Sequence, residues 1–196
     1  VIAQHFSRIS GRRAVLVALG GNLPLGTQAS AASLERALVL LDRPEFRLVR
    51  RSRMFRTPAF PAGAGPDFAN AAAVFVSALP AERILARLHA VERALGRRRR
   101  QRWGPRTVDL DLLAVGGAVL PDALTLRRWQ RLPLARQMRE TPDRVLLPHP
   151  RLQDRGFVLV PLAEVAPGWR HPLSHRSVAE MAADLPAAAR AGIEPL

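Results

Sequence analysis

Thr107-Val108-Asp109-Leu110-Asp111-Leu112-Leu113-Ala114-Val115 is an apolar run broken only by two carboxylates, and it reads as the last strand of a four-strand pattern. Working back from it, residues 80–96 form a helix. Pro80 stands at its favoured first turn, Ile84, Leu88, Val91 and Leu95 make the apolar stripe, and Gly96 closes it. Residues 70–77 (NAAAVFVS) are apolar on both faces, as a central strand requires. Residues 57–67 (TPAFPAGAGPD) can only be a loop, and residues 46–56 are a strand whose arginines blur the alternation. From Gln28 to Asp42, Leu34, Leu38 and Leu41 recur at helical spacing until Pro44, and residues 14–19 (AVLVAL) form a buried strand that ends in a Gly20-Gly21-Asn22 turn signal. Strand, helix, strand, strand, helix, strand is the order of a ferredoxin-like α+β sandwich, a mainly antiparallel sheet with helices packed on its faces. With these two helices on one face, the other is left for a site or for further elements.

Beyond Gly116-Gly117 the chain is less regular. Residues 120–144 are rich in Arg and Pro, while residues 157–165 (FVLVPLAEV) and 178–185 read as two short helices. A length of 196 residues fits one domain. We take residues 14–196 as a single catalytic domain carrying a basic insertion near 125–143, a solvated loop or helix, with residues 1–13 as an N-terminal extension. The hydrophobic fraction of 48% against 23% charged is that of a globular protein, and no apolar run is long enough for a membrane span. Residues 1–13 carry Arg8, Arg12 and Arg13 without the apolar run of a signal peptide. The expectation is a cytoplasmic monomer without membrane contact.

Composition excludes several chemistries. All 30 basic residues are Arg, and Lys, Cys and Tyr are absent. Lysine-dependent phosphate loops, Schiff bases, thiolate nucleophiles and sulfur-ligated zinc are therefore ruled out. The net charge of +14 calls for an anionic partner such as a nucleotide, a nucleic acid or an acidic surface, although a compositional bias of the source accounts equally for the surface arginines.

Asp109 and Asp111 carry the strongest local signal. Side chains two apart on a strand share a face with Cα atoms roughly 6.5–7 Å apart, and two such carboxylates repel unless a cation joins them. They are either Mg²⁺ ligands that leave room for phosphate oxygens, or the solvated face of an edge strand. Directly upstream runs Gly96-Arg97-Arg98-Arg99-Arg100-Gln101-Arg102-Trp103-Gly104-Pro105-Arg106. Such a loop is a polyphosphate clamp, a solvated loop or a nucleic-acid contact, and its attachment to the carboxylates favours the first. His89 and Glu92 project from one side of their helix, where Glu92 either accepts from a nucleotide or pairs with Arg93 or a neighbour on the surface.

Ala18-Leu19-Gly20-Gly21-Asn22-Leu23, Arg56-Thr57-Pro58, Pro66-Asp67-Phe68-Ala69-Asn70-Ala71, Trp103-Gly104-Pro105-Arg106-Thr107-Val108-Asp109-Leu110-Asp111-Leu112 and Pro148-His149-Pro150-Arg151-Leu152-Gln153-Asp154-Arg155-Gly156-Phe157 together resemble the 6-hydroxymethyl-7,8-dihydropterin pyrophosphokinases. The resemblance runs from about residue 14 to residue 168. It implies an ATP- and Mg²⁺-dependent transfer of diphosphate to 6-hydroxymethyl-7,8-dihydropterin, with release of AMP, in folate biosynthesis. It also implies that Asp109 and Asp111 bind two Mg²⁺ ions and that Arg97 and Arg106 are catalytic. His89, Glu92, Arg99, Arg102, Arg144, His149 and Arg155 would line the ATP side. Thr57, Pro58, Phe68, Asn70, Trp103 and Phe157 would form the pterin pocket. ATP and the dihydropterin are then the partners, and nucleic acid is not. The chain departs from the family pattern at His89, where Gln is frequent, and at Ala59-Phe60 after Pro58.

The rival reading, a nucleic-acid-binding module, needs exposed aromatics on the central strands, and those strands offer only Phe75. A nucleotide-binding regulator without catalysis would tolerate loss of one carboxylate, yet both are present.

Overall fold

In the computed structural model, residues 11–24, 30–59, 65–96 and 107–196 are described. The elements in chain order are β1 (Arg13–Gly21), α1 (Ser30–Leu41), β2 (Phe46–Arg51), β3 (Phe55–Thr57), β4 (Phe68–Ser77), α2 (Ala81–Ala94), β5 (Asp109–Val115), α3 (Ala123–Arg131), α4 (Leu134–Arg139), a 3₁₀ turn at Leu152–Asp154, α5 (Gly156–Val165), α6 (Val178–Ala183), α7 (Ala187–Arg190) and β6 (Glu194–Pro195). The sheet runs β5-β1-β4-β3-β6, with β2 also on β4, and every pairing is antiparallel. This is the strand order expected of the ferredoxin-like pattern.

Burial on both faces explains why β1 and β4 lie at the centre. Along β1 the side chains alternate between two cores: Val15, Val17 and Leu19 enter the first, Ala14, Leu16 and Ala18 the second. The first core is closed by Leu34, Leu38 and Leu41 of α1 and by Ile84, Leu88 and Val91 of α2. Phe46 and Phe75 stack within it at 4.3 Å between ring centroids, the offset geometry that adds to plain area burial. The second core is closed by Val158, Leu159, Leu162 and Val165 of α5 and by Val178 and Met181 of α6. Small residues at Ala71, Ala72 and Ala73 of β4 give both helical layers close approach. Trp169 buries its ring beside α6 and donates its indole N–H to the Gly116 carbonyl at 2.9 Å.

Three expectations are corrected. The single strand over residues 46–56 divides, because the register on β4 shifts between Leu48 and Arg50 and the backbone leaves the ladder at residues 52–54. There the Ser52 N–H and hydroxyl instead bond to the Ala72 carbonyl and the Ala72 N–H, both at 2.9 Å. Gly20 and Gly21 continue β1 rather than turning out of it. Pro80 caps α2 from just outside, one residue before Ala81. The segment expected to be an insertion near 125–143 overlaps α3 and contains α4, and Asp122 caps α3 by accepting the Thr125 N–H at 2.8 Å. Among the described residues no helix is long and apolar enough to cross a membrane.

Candidate active site

Strand alternation decides where the polar residues go. Leu110 and Leu112 of β5 and Ala69 and Ala71 of β4 enter the first core, so Asp109, Asp111, Phe68 and Asn70 face the α5 side. Register then aligns them: Asn70 pairs with Gly20, and Gly20 pairs with Asp109. At the usual strand spacing, Asn70 and Asp109 stand about 10 Å apart across the bare backbone of Gly20. Asp111 lies one row further along, opposite Ala18.

Gly20, read from the sequence as part of a turn signal and of a family-like motif but not as a site residue, shapes this row. A Cβ built there would fall 2.8 Å from Asn70 Oδ1, so the glycine leaves the space that the Asn70 amide fills. The buried Asn70 donates from Nδ2 to Thr57 Oγ1 at 2.6 Å, which leaves Oδ1 and the second N–H hydrogen for another partner. A polar residue among alanines, paired in register with a glycine, is a signal that could have revealed this, but the register itself was not visible.

The opposite wall begins at the end of the loop that follows α4. His149 donates its backbone N–H to the Leu113 carbonyl at 2.8 Å, tying the loop to β5. Arg155 precedes α5, donates from Nη1 to Asp111 Oδ2 at 3.0 Å, and lays its guanidinium 5.7 Å from the Phe157 ring centroid. Phe157 remains 40% exposed, a large ring held open at the start of a helix. The structure thus brings Thr57, Phe68, Asn70, Asp109, Asp111, His149, Arg155 and Phe157 to one end of one sheet face. Pro58 is exposed just beyond β3.

Other positions fall elsewhere. Glu92 is 2% exposed, and its Oε1 accepts the Leu110 N–H at 2.8 Å. It is turned toward the sheet, so the surface pair with Arg93 does not form. Because β5 ends the strand order among the described residues, Glu92 supplies the acceptor for an N–H on its outer side, and it fixes the backbone between the two aspartates. His89 is half-buried on the same helix, and Arg144 is exposed beside Asp143 and Asp122. Phe75 is completely buried against Phe46 and offers no surface for a base. Arg97, Arg99, Arg102, Trp103 and Arg106 lie outside the described residues.

Charge is balanced unevenly here. Burial above all, and then the guanidiniums of Arg155 and Arg151, push the His149 imidazole down to about 3 against the opposing pull of Asp109. Its Nδ1 accepts the Arg151 N–H at 3.1 Å, so the neutral ring carries its proton on Nε2 and presents a donor. Between pH 6.5 and the lowered value the unfolded chain binds the proton and the folded chain does not, so stability falls as pH falls. From pH 6.5 to 5 the loss should be about 2 kcal/mol. In His149→Asn, Tm measured across that range should fall less steeply; buried His171, whose imidazole burial also shifts down, and the carboxylates held low by their partners keep part of the slope. An unchanged slope would place His149 in solvent.

Among the described residues no cluster of three or more His, Cys, Asp or Glu side chains could hold a metal alone. A pair of carboxylates sharing a face with open positions fits a hard cation completed by phosphate oxygens and water.

Comparison with known proteins places the chain in a family and a fold. Residues 16–167 match the sequence model of the family described as 7,8-dihydro-6-hydroxymethylpterin-pyrophosphokinase (HPPK). The chain is 34% identical over 168 residues to the 2-amino-4-hydroxy-6-hydroxymethyldihydropteridine pyrophosphokinase of Synechocystis, covering 85% of this chain and 73% of that protein. It is 36% identical over 149 residues to the protein of the same name from Methylorubrum extorquens, covering 76% of this chain and 80% of the other. In fold it is similar to an HPPK-DHPS crystallised with substrates, at TM-score 0.59, 10% identity and 87% of this chain. A Plasmodium falciparum HPPK-DHPS with pteroate matches at TM-score 0.61, 11% identity and 91% of this chain. The chain spans less than half of each solved chain, 43% and 45%. With the strand order, the aligned polar row and a family match over most of its length in agreement, the chain belongs to the 7,8-dihydro-6-hydroxymethylpterin-pyrophosphokinase family.

Proposed function

We infer that the chain is a pyrophosphokinase of folate biosynthesis that transfers the β,γ-diphosphate of ATP to 6-hydroxymethyl-7,8-dihydropterin. The observation that carries this reading is the single row Asn70, Gly20 and Asp109 on one sheet face. It sets a reader of a heterocycle edge about two strand spacings from a carboxylate pair. The substrate hydroxyl oxygen attacks the β-phosphorus; the bond from that phosphorus to the oxygen bridging to the α-phosphorus breaks, AMP leaves with that oxygen, and the hydroxyl proton is released.

Asp109 and Asp111 would hold the divalent cations, two Mg²⁺ in the family-based reading. When bound, Mg²⁺ neutralises triphosphate charge and polarises the phosphoryl oxygens. The rest falls to the chain. Asn70 fixes the pterin by its amide-like edge, with Thr57 holding the Asn70 amide in place. Phe68 and Phe157 cover the ring faces, and His149 offers its Nε2–H, with Arg155, to the phosphates. Glu92 keeps the two aspartates at their spacing by holding the Leu110 N–H. Arg97 and Arg106 act on charge that develops in the transition state, and Arg99, Arg102, Trp103, His89, Arg144 and Pro58 complete the two substrate sites.

Incubation with ATP, Mg²⁺ and 6-hydroxymethyl-7,8-dihydropterin should give AMP and the pterin diphosphate. ADP as the nucleotide product would instead mean transfer of one phosphate. Truncating a stacking ring, in Phe68→Ala or Phe157→Ala, should weaken pterin binding by about 1–3 kcal/mol, the worth of a large buried apolar contact. Titration calorimetry that finds unchanged pterin affinity in both variants removes the rings from the pocket.

A further inference from the structure

Residues 187–196 lie against both walls of the pterin pocket, and nothing in the reaction described so far uses them. At one wall, a Cβ on Gly156 would fall 1.8 Å from the Ala189 carbonyl oxygen, 2.9 Å from its carbon and 3.2 Å from Ile193 Cδ1. The backbone just before Phe157 is therefore seated directly on α7 and the residues after it. At the other wall, Gly192 adopts φ +70°, and a Cβ there would fall 2.7 Å from Pro58 Cγ and 3.0 Å from Pro58 Cδ. The segment is then fastened to β3. Arg56 pairs with Glu194 and Phe55 with Pro195 across β3 and β6, the Arg56 and Glu194 side chains meet at 2.6 Å, and the Leu196 N–H donates to the Met54 carbonyl at 2.9 Å.

We propose that residues 187–196 are a strap that sets the distance between the Thr57-Pro58 wall and the Gly156-Phe157 wall, with Gly192 and Ile193 as positioning residues for the pterin. The proposal rests on the pyrophosphokinase reading above. The contacts that fasten the strap fall on β3, Pro58 and Gly156, so its effect belongs to the pterin side. Glycine is needed at both contacts because backbone meets backbone or a proline ring, with no flexible side chain to yield. A wall displaced by about 1 Å is enough to lower turnover at low substrate by an order of magnitude or more.

The test is steady-state kinetics of the full chain with each substrate varied, alongside thermal melting. In Gly192→Ala, the KM for the dihydropterin should rise about tenfold, while the KM for ATP and the kcat at saturation change by less than about twofold. Ile193→Ala trims a half-buried side chain behind Gly156 without touching the backbone, so it folds even where the glycine variant does not. It should raise the pterin KM in the same selective way. A folded variant with unaltered pterin KM, or equal changes in both KM values, overturns the proposal. Failure of the unsubstituted chain to form AMP overturns the pyrophosphokinase reading, and the strap's role with it.

Discussion

Asp109→Ala and Asp111→Ala should each lower kcat by 10²-fold or more, equivalent to at least about 2.7 kcal/mol of transition-state stabilisation. A triphosphate brings about four negative charges to a face that already carries two carboxylates, an approach that is repulsive without divalent cations. Removing either carboxylate removes half of the side-chain grip on those cations. The two variants should differ in stability. Asp111 accepts from Arg155 in a partly exposed ion pair, so Asp111→Ala loses that pair and should cost about 1 kcal/mol. Asp111→Asn retains an acceptor for Arg155 and separates this cost from the loss of rate. Circular dichroism, Tm and AMP release across a Mg²⁺ titration together decide the matter. A folded variant with near-normal turnover at ordinary Mg²⁺ would make the pair no more than the solvated face of an edge strand.

Asn70→Leu should weaken dihydropterin binding by about 10²-fold, because each buried polar group of the substrate left unpaired costs about 1–3 kcal/mol. ATP binding should be unaffected, since Asn70 stands on β4 and the carboxylate pair on β5, with β1 between them. Gly20→Ala should move in the same direction by about tenfold, because its Cβ would drive into Asn70 Oδ1 at 2.8 Å and turn the amide from its place. Titration of each variant with dihydropterin in the presence of a non-hydrolysable ATP analogue measures this. Full affinity in Asn70→Leu would assign the polar edge of the pterin to another group, and a loss confined to Gly20→Ala would indicate damage to β1 instead.

Much of the fold was legible because apolar periodicity reports burial directly. The stripe Ile84, Leu88, Val91 in α2 and the continuous apolar runs of β1 and β4 each admit one consistent reading, and their order leaves few topologies. The paired aspartates were legible for the same reason, as two charges in a strand otherwise committed to the core. The division of residues 46–56 into β2 and β3 was not, since it depends on Ser52 taking ladder bonds from Ala72 across the chain. Glu92 shows the limit most sharply. Its helical position is equally compatible with solvent, a nucleotide or the sheet, and only the place of β5 at the end of the strand order selects the Leu110 N–H.

By itself the sequence determined the antiparallel α+β sandwich, the carboxylate pair and the motifs of the pterin pyrophosphokinases, because these reside in periodicity and in spacings within a segment. Tertiary structure alone decided that Asn70, Gly20 and Asp109 form one row, that Arg155 meets Asp111, and that residues 187–196 brace Pro58 and Gly156. Cross-strand register and backbone-to-backbone approach are set by how all the buried surfaces close together, and no local window of the chain encodes them.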